Sequence, residues 1–152
     1  MENTKINPSK KHHTSVDGNR CNLVRIKTYP IDFIFDFIRN NPMSPDVKPW
    51  AFNKQPGAFY VDEEGNKCKL RRARIFYEIG IDCVKCNTKA KFFALELWPD
   101  KSLHFELYGV DEAGDEVLMT IDHIQAKSNG GENHPDNYDP MCKCCNEIKS
   151  NL

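Results

Sequence analysis

No stretch of this sequence approaches the roughly 20 apolar residues of a membrane span, and the opening residues (MENTKINPSKKHHTS) hold no apolar secretion core. A membrane protein is therefore not expected, and the chain reads as cytoplasmic. Net charge is scarce too: the total is −1, so the chain as a whole does not advertise a polyanion as its partner. Internal repeats and low-complexity tracts are missing, which argues against a repeat architecture. Apolar residues make up only 39% of the 152, enough for one modest domain but few enough that a subregion can need a metal to stay folded.

What is present is unevenly spread. Residues 67–91 carry Lys67, Lys69, Arg71, Arg72, Arg74, Lys85, Lys89 and Lys91 against only Glu78 and Asp82. A nearly neutral protein can thus offer a local cationic face to phosphates. Residues 1–20 are polar and basic without periodicity and read as an arm. Ile31, Ile34, Phe35 and Ile38 fall at helical spacing, which predicts a helix over 31–40 ended by Asn41-Pro42. Pro42, Pro45, Pro49 and Pro56 predict an extended connection. Phe59–Val61 reads as a strand, and 67–79 as a second helix with Leu70, Ala73, Phe76 and Ile79 on its apolar side and arginines on the other. Strands are predicted over 92–98, 103–108 and 117–121, then a Gly/Asn-rich loop at 128–131 and a final helix from about Met141 to Ser150.

Seven cysteines are an odd number, and four of them form the pairs Cys83-x-x-Cys86 and Cys142-x-x-Cys145. In a reducing compartment this pattern favours metal ligation over disulfides. A Cys-x-x-Cys turn aims two thiolates at one point, and two such turns supply the tetrahedral sulfur set that structural Zn²⁺ prefers. Such a metal would pin the start of the strand region to the final helix. The alternative is a set of unrelated buried thiols. Cys144 competes as a ligand, but Cys142 and Cys145 have the correct spacing; Cys21, Cys68 and Cys144 read as ordinary free cysteines.

Around the second pair lies a further constellation: Asp122-His123-Ile124, Ser128-Asn129-Gly130-Gly131, Asp136-Asn137-Tyr138, then Cys142-x-x-Cys145-Asn146 and Lys149. Over about residues 80–150 this resembles the HNH endonuclease family, in the variant with Asp-His at the first signature position. The spacing of His123, Asn137 and Asn146, 14 and then 9 residues, is similar to that in the HNH domain of Cas9-type nucleases. The departure is the long span of predicted strands between the cysteine pairs. The resemblance implies a ββα-metal fold, DNA as partner, 5′-phosphate and 3′-hydroxyl products, and a bracing role for Asn137 on the loop that carries His123. Small stand-alone members of the family occur in phages and mobile elements.

The residue types suit phosphodiester hydrolysis. Asp122 offers a carboxylate oxygen and Asn146 an amide oxygen, both hard donors for Mg²⁺ or Mn²⁺. His123 adjoins a ligand at a strand end, so its side chain points away from the ligand face, where it can deprotonate a water. Each residue alone has an ordinary reading, as a turn, a cap or a surface charge. His12, His13, His104 and His134 read as solvated or structural. Arg71, Arg72 and Arg74 are candidate phosphate contacts or simply a solvated helix face, and Lys149 likewise. The expectation is an α+β protein with a zinc-stapled ββα-metal domain at 76–152 and a small N-terminal helical and extended region at 1–75. Its expected activity is divalent-metal-dependent DNA cleavage with a His general base. The competing reading is a zinc-stabilised nucleic-acid-binding or assembly module that does not cleave; RNA as the substrate is compatible with the same residues.

Overall fold

The computed structural model describes residues 23–44 and 57–150, so the arm at 1–20 and most of the proline-rich connection lie outside the described residues. Strands β1 (Val24–Pro30), β2 (Phe59–Val61), β3 (Lys67–Lys69), β4 (Ala90–Leu97), β5 (Leu103–Val110), β6 (Glu116–His123) and β7 (Tyr138–Cys142) form one sheet. Helices α1 (Ile31–Asn40), α2 (Arg71–Ile79) and α3 (Lys143–Ser150) complete an α+β fold.

The centre is the antiparallel β4–β5 hairpin, in which Phe93 faces Leu107 and Leu95 faces Phe105. These rings and branched chains want one dry face, and α1 and α2 supply it. Ile34 and Ile38 of α1 and Ala73 and Phe76 of α2 join Tyr29, Phe93, Phe105 and Leu107 in one buried cluster. Each such aliphatic or aromatic side chain contributes roughly 1.5–3 kcal/mol on burial. The other face of the sheet buries Ala94, Tyr108 and Leu118 around charge. There Arg25 donates two hydrogen bonds to Glu116, at 3.0 and 2.7 Å, and the Tyr108 hydroxyl donates to Glu96 at 2.8 Å. Buried charges persist because they are paired in this way.

Strand β1 pairs with the outer edge of β4. The far edge of β5 is shared: β3 runs parallel to it at Leu103 and His104, and β6 runs antiparallel to it at Tyr108–Val110. Only the first half of β6 is used there, and its second half, Met119–His123, pairs with β7. The β6–β7 ribbon thus projects from the sheet, and α3 packs on both of its strands. Together β6, β7 and α3 make the ββα unit.

Three expectations need correction. Lys67–Lys69 is strand rather than the first turn of a helix, because Cys68 is fully buried between β2 and β5. The final helix begins at Lys143, not Met141, since Tyr138–Cys142 is strand. The N-terminal region is more than helix and extended chain: β1, β2 and β3 all belong to the same sheet as β4–β7.

Candidate active site

The four cysteines named above come together. Cys83 and Cys86 flank a turn just before β4, Cys142 ends β7, and Cys145 lies in the first turn of α3. Their sulfur atoms all lie within 4.8 Å of one another, and Cys86 Sγ is 3.7 Å from Cys142 Sγ. Tetrahedral Zn–S bonds of about 2.3 Å require S···S separations near 3.8 Å, so the set fits zinc. The turn is also tied to β7 directly, by Val84 N–H donating to the Pro140 carbonyl at 3.1 Å. A hydrogen bond with Thr88 pulls the Cys86 thiol down to about 6, whereas burial pushes Cys142 up to about 11. Closing the set around a dication therefore releases protons. Cys68, buried in the core, is pushed up by burial to about 12 and is an inert thiol.

Asp122 and His123 are the last two residues of β6, and Asn146 and Lys149 stand one turn apart on α3. All four line one open pocket together with Gln125 and Asn129. Asn146 Nδ2 donates to Thr120 Oγ1 at 2.8 Å, and that hydroxyl donates onward to the Met141 carbonyl at 2.7 Å. The amide of Asn146 is thereby fixed with its nitrogen toward Thr120. Lys149 forms an ion pair with Asp122, and its ammonium also donates to the His123 carbonyl at 3.1 Å. The lysine read as a phosphate contact thus sits on the acidic residue of the site.

Among the described residues, His123 contacts the side chains of Asn133 and Tyr138. Its Nε2 is 2.9 Å from Asn133 Oδ1, and its ring meets Tyr138 edge-on at 5.0 Å. The loop between β6 and β7 is held by Asn137, which accepts from Gln125 N–H at 2.8 Å and donates to the carbonyls of Gln125 and Glu132 at 3.0 and 2.9 Å. Its own carbonyl accepts from Ile124 N–H at 2.8 Å, next to His123.

Residues 110–152 match the HNH endonuclease family. Neither a curated protein nor a solved structure matches the chain. The HNH segment contains β6, β7 and α3, and with them Asp122, His123, Asn137, Asn146 and Lys149. It includes Cys142 and Cys145 but begins well after Cys83 and Cys86, so half of the cysteine set comes from chain outside the matched segment. Nuclease relationship is therefore assigned to the segment that carries the constellation.

Three contributors escaped the sequence reading. Thr120 and Asn133 are ordinary polar residues whose role is visible only through their partners. Gly131 had a signal in the Gly130-Gly131 pair: a Cβ there would lie 1.8 Å from the Gln125 carbonyl oxygen. Gly131→Ala must therefore push apart the loop that Asn137 braces. Cleavage by this variant is expected to fall about 10- to 100-fold, since misplacement near 1 Å has effects of that order. Zinc content and the far-ultraviolet circular dichroism should stay as in the parent; unchanged cleavage would show that the loop is not part of the site.

The three arginines of α2 do not act alike. Arg74 donates to the carbonyls of Gly57 (3.0 and 2.6 Å) and Asn41 (2.6 Å), tying together the chain on either side of residues 45–56. Arg72 forms an ion pair with the buried Glu106 at 3.4 Å. Only Arg71 of the three is exposed. The uniform basic face expected of this helix therefore narrows to Arg71. Arg74→Ala is expected to lower stability by about 1.5–3 kcal/mol, the range for hydrogen bonds to a charged group. Arg71→Ala should leave the urea midpoint within error and weaken DNA binding. A reversed pattern in urea titrations and binding isotherms would overturn this division.

Proposed function

We propose that this protein is a divalent-metal-dependent DNA endonuclease in which residues 76–152 carry the chemistry and His123 is the general base. The observation that carries the reading is the convergence of Asp122, His123, Asn146 and Lys149 on one open pocket in the segment that matches HNH endonucleases. Asp122 and Asn146 would hold Mg²⁺ or Mn²⁺, and their hard oxygens suit such an ion. Held there, such an ion would supply stabilisation of the charge that builds on phosphorus and on the leaving oxygen.

The remaining work falls to side chains. An amide oxygen accepts but never donates, so the contact with Asn133 Oδ1 puts the proton of a neutral His123 on Nε2. Its Nδ1 then keeps the lone pair with which it takes a proton from the attacking water. Asn137 holds the loop that sets the direction of that nitrogen. Lys149, on the solvent-exposed side of α3, can exchange Asp122 for a phosphate oxygen as substrate arrives. Arg71 adds sequence-independent affinity through the DNA backbone.

Incubation with supercoiled plasmid tests the reading. Nicked or linear product is expected with Mg²⁺ or Mn²⁺ and none without added divalent ion. Binding without any metal-dependent product would favour the module that assembles on nucleic acid and does not cleave it.

A further inference from the structure

The two groups assigned to the divalent ion are held in different ways. Asp122 is met by the ammonium of Lys149, whereas Asn146 is held by a neutral chain of hydrogen bonds through Thr120. Thr120 and Asp122 are two residues apart on β6, so their side chains leave the same face of the strand. Helix α3 packs on this ribbon, and Thr120 lies opposite Met141 of β7. The hydroxyl thus joins the carbonyl of Met141, the residue before Cys142, to the amide of Asn146, the residue after Cys145. Both ends of the chain are anchored next to a cysteine of the cluster.

The direction of the chain follows from the groups in it. A carbonyl only accepts, and a hydroxyl has a single hydrogen. Thr120 donates that hydrogen to Met141 at 2.7 Å, so toward Asn146 its oxygen can only accept. The group that meets it at 2.8 Å must then be the amide nitrogen of Asn146, not the amide oxygen. An Asn side chain has two ends of almost equal shape, and its last torsion is soft. Here one hydroxyl makes the choice between them. Oδ1 is turned away from Thr120, and Asn146 lines the pocket shared with Asp122. For a hard cation the two ends are opposites: the oxygen ligates it, and the donor hydrogens of the nitrogen repel it.

We propose that Thr120 is a positioning residue for the divalent ion, its hydroxyl setting the oxygen end of Asn146 toward the pocket. The proposal rests on the nuclease reading for the ion, and it adds the group that orients one of the ion's ligands. Thr120 does not touch the ion; it acts through Asn146.

The test is a Mn²⁺ titration of the zinc-loaded protein without DNA, read from the electron paramagnetic resonance signal of the free ion. The parent is expected to bind Mn²⁺. Thr120→Val keeps the shape and the β-branch but removes the hydroxyl. It should weaken binding about 10- to 100-fold, the loss typical of a group that orients a metal ligand. Thr120→Ser, which keeps the hydroxyl, should stay close to the parent. In an Asn146→Ala background, Thr120→Val should cause no further loss, because its effect passes through that amide. Thr120→Val should also keep its zinc and its amide protection over residues 138–150. Parent-like Mn²⁺ binding by Thr120→Val, weak binding by Thr120→Ser, or a further loss on top of Asn146→Ala would each overturn the proposal. Loss of zinc or of that protection in Thr120→Val would overturn it too, by making the role one in folding. A parent that binds no Mn²⁺ would overturn it together with the ligand role of Asn146. A parent that binds Mn²⁺ as expected yet leaves plasmid uncut would remove the hydrolytic reading alone.

Discussion

Replacing His123 with alanine is expected to lower plasmid cleavage about 10²–10⁴-fold, the loss that follows removal of a general base. Zinc content, folding and DNA affinity should remain close to the parent, because the ring contributes one hydrogen bond to Asn133 and one edge contact to Tyr138. Asp122→Ala should also abolish cleavage, but by weakening the hold on Mg²⁺. Raising Mn²⁺ should therefore restore part of the activity of Asp122→Ala and leave His123→Ala nearly inert. The two variants separate the acid–base role from the ligand role in one titration series. Full cleavage by His123→Ala would sink the mechanism, whatever else the protein does to DNA.

The second large effect concerns the cysteine set. Purified protein is expected to contain about one zinc per chain, and Cys83→Ser or Cys145→Ser should lose it. Structural zinc supplies on the order of 10 kcal/mol to small folded units. Its loss should therefore unfold β7 and α3, since Cys142 ends the one and Cys145 lies in the first turn of the other. Elemental analysis checks the first part, and amide exchange over residues 138–150 checks the second. Folded protein without zinc, or protection in that segment unchanged by either substitution, would contradict a structural metal. Cys144→Ser is the control: Cys144 is exposed, lies outside the cluster, and should cause neither effect.

The elements that were readable in the sequence are those whose pattern and burial agree. Helix α1 keeps Ile34 and Ile38 inward at the spacing that announced it, and β4 and β5 carry the runs that central strands need. The misread elements are those decided by distant partners. Strand β7 is short and contains Asp139 and Pro140, which argue against a strand; it forms because Pro140 takes its place opposite Ile121 of β6 while its carbonyl accepts from Val84 N–H. Lys67–Lys69 looked helical because Leu70 and Ala73 follow in phase, yet pairing with β2 and β5 overrides that propensity. At the candidate site, the residues proposed to act on a ligand announce themselves by type: Asp122, His123, Asn146 and the cysteines. Residues that act on other residues do not, which is why Thr120 and Asn133 emerged only from their hydrogen bonds. The same limit applied to Arg72 and Arg74, whose charges are consumed inside the protein.

The long separation between the two cysteine pairs has a consequence for the chain while it is being made. On a ribosome adding about 5–20 residues per second, Cys86 emerges roughly 3–11 s before Cys142. The β4–β5 hairpin can form in that interval, but the thiols beside it have no counterpart. Asn146 and Lys149 arrive a few residues later still, on the helix that Cys145 anchors. The cysteine cluster and the pocket around Asp122 are therefore completed within a few residues of each other. A chain interrupted before Cys142 carries Asp122 and His123 but lacks Asn146, Lys149 and half of the cysteine set.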